Sequence, residues 1–86
     1  MPEICRFYGI IIAMFYDDHN PPHFYARYGA QTVTLEVRTL RVLEGRIPSR
    51  ALGLVMEWAS EHREELLEDW KLAKSNQPPK NIAPLA

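Results

Sequence analysis

The chain has 86 residues, room for one domain, and its 47% hydrophobic and 24% charged residues exclude a disordered tail. Ten lysines and arginines against eleven acids give a net charge of −1, so bulk charge does not mark a nucleic-acid binder. The single cysteine, Cys5, excludes an intrachain disulfide and fits a reducing compartment.

The first apolar run, Phe7 to Tyr16, spans ten residues. That is well short of the roughly 20 a membrane-spanning helix needs, and the run lies too near the start for a signal peptide. A cytoplasmic protein without membrane contact is expected. Arg6 to Tyr16 reads as one strand with apolar residues on both faces, hence covered on both sides. Asp17-Asp18-His19-Asn20-Pro21-Pro22 then forms a stiff loop.

From His23 onward the alternation is clean. Phe24, Ala26 and Tyr28 share one face; His23, Tyr25 and Arg27 share the other. After Gly29-Ala30 it resumes as Gln31, Val33, Leu35 and Val37 against Thr32, Thr34, Glu36 and Arg38. Glycine at the first position of a two-residue loop suits a type II′ hairpin over 23–37. The resulting register pairs Phe24 with Leu35, Ala26 with Val33, Tyr28 with Gln31, His23 with Glu36, Tyr25 with Thr34 and Arg27 with Thr32. A slip of one residue would mix the faces.

A short strand at Arg41 to Leu43, ending at Gly45, is the weakest element. Pro48-Ser49 opens a helix with Ser49 as N-cap, and Leu52, Val55, Met56, Ala59, His62, Leu66, Trp70 and Ala73 form its apolar stripe. A straight helix over 50–74 would be about 37 Å long, more than the roughly 30 Å diameter of such a domain, so it bends near Ser60 or protrudes. Prolines 78, 79 and 84 make 76–86 an extended tail beyond a domain over 1–75. The expected fold is α+β: an antiparallel sheet of three to four strands followed by one long or bent amphipathic helix packed on one face.

The outer hairpin face collects the groups that metal-free phosphodiester cleavage requires. His19, His23 and Glu36 would move protons, Tyr25 would assist, and Arg27 would neutralise charge on the phosphorane. The plainer account is a solvated sheet face with ordinary cross-strand pairs. Arg38, Arg41, Arg46 and Arg50 lie within thirteen residues holding one acid, Glu44, and are candidates for an anionic ligand. His19 and His23, with Asp17 or Asp18, give too few donors for a metal site without a third ligand such as His62. The acidic run Glu61, Glu64, Glu65, Glu68 and Asp69 reads as a solvated helix face, and no cofactor motif is present.

Several segments carry a resemblance. Arg6-Phe7-Tyr8-Gly9-Ile10, Asp18-His19-Asn20-Pro21-Pro22-His23-Phe24, Leu43-Glu44-Gly45 and Glu57-Trp58-Ala59 resemble small bacterial proteins of the domain-of-unknown-function family four-one-six-zero. The family pattern has a third histidine where this chain has Tyr25, a departure that disfavours a three-histidine metal site. Family members are often encoded beside another small domain, as in toxin–antitoxin pairs, so the resemblance implies a partner and no established activity. The leading expectation is a non-catalytic module that binds a cognate small protein or forms a homo-oligomer. A metal-independent ribonuclease acting on RNA ranks second and a metal-binding protein third.

Overall fold

The hydrophobic pattern resolves into five strands and two helices: β1 (Glu3–Phe7), β2 (Ile10–Ala13), β3 (His23–Tyr28), β4 (Gln31–Glu36), β5 (Val42–Gly45), α1 (Ser49–Glu61) and α2 (Arg63–Lys74). The structure, a computed structural model, describes residues 2–16 and 19–86. The strands form one antiparallel sheet in chain order, β1-β2-β3-β4-β5. The α+β class holds, with five strands in place of three to four and two helices in place of one.

The single strand expected over Arg6 to Tyr16 is a hairpin. Tyr8 and Gly9, with φ of 50° and 79°, make a two-residue turn in which both residues are left-handed, and Phe7 faces Ile10 across it. That turn reassigns the faces. Phe7, Ile10 and Ile12 point to the core, while Ile11 faces away and is only half-buried. The run is therefore not covered on both sides.

All six cross-strand pairs expected for the β3–β4 hairpin are present. Phe24, Ala26, Val33 and Leu35 have no exposure, and their face is the one the helices cover. Next comes β5, joined through Leu40 at a φ of 61° and a hydrogen bond from the Glu36 amide to the Arg41 carbonyl. A bulge lies between the Thr34 and Leu35 pairings, leaving Leu43 unmatched.

Trp58 is the centre of the core. Fully buried on α1, it packs its ring 5.6 Å from Phe7 and 6.2 Å from Phe24. Pro48, not Ser49, stands at the N-cap, and Ser49 is the first helical residue. The helical stretch breaks at His62, whose φ of −123° and ψ of 25° interrupt the ladder. The break turns α2 off the line of α1, within a molecule whose longest extent is 33 Å. Beyond α2 the tail runs extended across the core. Ile82 is buried and its amide donates to the Ile4 carbonyl, Trp58 Nε1 donates to the Ala83 carbonyl, and the Lys80 amide donates to Asp69.

Candidate functional site

Because β3 and β4 pair in the expected register, His23, Tyr25, Arg27, Thr34 and Glu36 share the sheet face opposite Phe24, Ala26, Val33 and Leu35, a face that α2 reaches at its His23 end. They do not share an environment. His23 is 8% exposed and its ring lies 5.0 Å from that of Trp70 on α2. Its Nδ1 is 2.7 Å from the Pro21 carbonyl, which only accepts, so that nitrogen carries a proton. Its Nε2 is 3.1 Å from the Tyr25 hydroxyl. The imidazole thus ties the proline loop to β3 and α2.

Tyr25 is half-buried, and Phe15 meets its ring edge-on at 4.7 Å. Arg27 is exposed two residues further along. Glu36 accepts from the Thr39 hydroxyl at 3.0 Å and lies 3.5 Å from the Arg41 guanidinium. His19 is exposed in the loop before β3, and its neighbours Asp17 and Asp18 lie outside the described residues. At about 3.3 Å per residue, His23 and Arg27 are roughly 13 Å apart along β3, too far for both to address one phosphate without a long reach.

The four arginines fall into two groups. Arg38 and Arg41 precede β5, Arg46 and Arg50 follow it, and all four are exposed. Arg50 lines a groove at the start of α1. His62 sits at the helix break, its Nδ1 2.6 Å from Glu65 Oε1. Among the described residues, no three histidine, cysteine or acidic side chains converge on a metal position.

The outer face of the sheet has its own concavity. A groove of about 250 Å³ is lined by Ile11, Ala13, Phe15 and Tyr25, with Arg27 and Thr32 at its edge. Phe15 is 40% exposed, and Ile11 lies between Arg6 of β1 and Arg27 of β3. Read as one strand, residues 6–16 already place Ile11, Ala13 and Phe15 on one face, but with Phe7 beside them and both faces covered; the turn at Tyr8-Gly9 sends Phe7 to the core and leaves the other three on the outer face.

Asp69 is a polar residue that sequence pattern misplaces. Grouped with the acidic run, it is instead 2% exposed on the buried stripe of Leu66, Trp70 and Ala73. Burial pushes its carboxyl up to about 6, the Glu68 and Glu65 charges add to the rise, and the Lys80 amide opposes it. Its position one residue before Trp70 and three after Leu66 is the signal that places it on the stripe.

Fold and face together define a small α+β domain: a five-stranded antiparallel meander with two helices on one face and a partly apolar open face. The chain belongs to the family described as Domain of unknown function (DUF4160), whose model matches residues 9–71. No curated protein and no solved structure matches it. Among the described residues, no helix is long and apolar enough to cross a membrane.

Proposed function

We propose that the chain is a protein-interaction module that binds a cognate small protein through the outer face of its sheet. The observation that carries this reading is the apolar groove of Ile11, Ala13, Phe15 and Tyr25 on that face. Aromatic and aliphatic side chains around a shallow groove, with an arginine at the rim, have the composition of interface centres. The paired-gene arrangement expected from the resemblance supplies the partner: the small protein encoded beside this one. A domain of this size also has a limited core, and association adds buried surface.

Coexpression with the product of the adjacent gene tests the reading. A complex should run as one species by size-exclusion chromatography with light scattering. Ile11→Asp should abolish it, and Lys71→Glu on the exposed side of α2 should not. A complex indifferent to Ile11→Asp would sink the assignment of this face, and absence of any complex would sink the reading itself.

The hairpin register favours one second reading, a metal-independent ribonuclease, since it gathers Tyr25, Arg27 and Glu36 on one open face with His23 at its end and His19 in the loop beyond. The engagement of His23 with Pro21, Tyr25 and Trp70 counts against it as a proton shuttle. Purified protein incubated with RNA in the presence of a chelator decides the matter. Cleavage lost in Arg27→Ala would favour catalysis, and intact RNA would remove it.

A further inference from the structure

A second groove, about 650 Å³, lies on the other side of the sheet, where the β1–β2 turn, the end of β3 and the start of α1 meet the tail. Its floor is apolar, with Ile10 fully buried and Leu54 half-buried. At its rim stand Tyr8 and Tyr28, 60% and 41% exposed. Both rings are held in place. Tyr8 meets Phe7 edge-on at 6.2 Å and donates its hydroxyl to the Ala86 carbonyl, while the Tyr28 ring lies over Gly9.

Arg50 and Glu57 complete the lining from α1. Seven residues apart, they lie two helical turns from each other on the stripe that includes Leu54, about 10 Å along the axis. Among the described residues neither side chain makes a hydrogen bond or an ion pair. The groove thus has a cationic end, an apolar floor beneath two aromatic rings, and an anionic end. Its volume is in the range of small-molecule sites.

We propose that this groove binds a nucleoside monophosphate unit whose base carries an exocyclic amino group, with the phosphate at Arg50, the base against the tyrosines and the amino group donating to Glu57. Each part follows from general chemistry. Guanidinium groups grip phosphate through paired hydrogen bonds. Bases stack on aromatic faces whatever their identity, and carboxylates accept from exocyclic amino groups. A simple anion would use one end only, and a wholly apolar ligand would use neither.

The test is a titration of isotope-labelled protein with AMP, IMP, adenosine and inorganic phosphate, followed by NMR. AMP should saturate shifts at Tyr8, Tyr28 and Leu54, with IMP and phosphate each at least about tenfold weaker. Arg50→Ala should weaken AMP about tenfold and leave adenosine unchanged, and Glu57→Gln should erase the preference for AMP over IMP. Both positions are exposed, and circular dichroism checks that the variants fold. No saturable shift at millimolar AMP, shifts centred on Phe15 and Tyr25, or an Arg50→Ala protein that binds AMP unchanged would each overturn the proposal. A 5′-phosphorylated adenylate trinucleotide separates the two sources of this chemistry. Binding at least tenfold tighter than AMP marks an RNA end, and equal or weaker binding marks a free nucleotide.

Discussion

The Asp69 carboxylate has one oxygen accepting from the Lys80 amide at 2.8 Å and a second, buried oxygen with no partner among the described residues. Ionising it inside the fold is costly, which is why its carboxyl titrates near 6 and not at the ordinary 3.8. Between those values the folded chain holds a proton that the unfolded chain has released. Stability therefore falls as pH rises from about 4 to about 6, by an amount on the order of 2 kcal/mol. Thermal unfolding should give a higher midpoint at pH 4.5 than at pH 7.5, and Asp69→Asn should flatten that difference by raising the midpoint at the higher pH. A profile that keeps its slope in the variant would show that other groups carry it. His23 makes the opposite case, a polar residue whose contacts are satisfied. His23→Ala should cost about 2–3 kcal/mol in urea denaturation through its two hydrogen bonds and the Trp70 contact, and His19→Ala, on an exposed residue, less than about 1 kcal/mol.

Gly29, in the turn before β4, and Gly45, the last residue of β5, separate strain from clash. Gly29 has a φ of 63° with open space where a Cβ would sit, so Gly29→Ala should cost about 1 kcal/mol from backbone strain alone. Gly45 has a φ of 74°, and a Cβ there would meet the Thr32 carbonyl. Gly45→Ala should cost at least about 3 kcal/mol and loosen β5 from β4, read as faster amide exchange along β5. The same elements show what a sequence discloses. The β3–β4 register is legible because its two faces differ sharply, so only one pairing keeps Phe24 and Leu35 together. The β1–β2 hairpin is not legible, because both of its faces are apolar and Tyr8 takes a left-handed position that asparagine, aspartate or glycine would have signalled. The open hairpin face is legible as a set of residues. The burial of His23 is not, since it depends on where α2 brings Trp70.

At the scale of the whole molecule, a straight helix over 50–74 would be about 37 Å long, more than the longest extent of 33 Å. The chain resolves that conflict at His62, with Leu66 donating to the His62 carbonyl to restart the ladder. The two helices, angled at His62, pack on one face of the sheet. Its edges are unequal too: β5 is exposed throughout, with Val42 and Leu43 at 39% and 37%, whereas the tail lies against β1.

The hydrogen bond from Ile82 to Ile4 thereby sets a valence. A sheet with two free edges accepts a neighbour on each side and can extend without limit into fibres. Here the tail engages the β1 edge through the Ile82 amide, so among the described residues β5 is the more open edge, and pairing of two β5 edges ends at a pair. Concentrated protein should plateau at no more than twice the chain mass in light scattering, whereas deletion of residues 80–86 should allow thioflavin-positive fibres. Fibres formed by the full chain would show that the tail does not terminate growth.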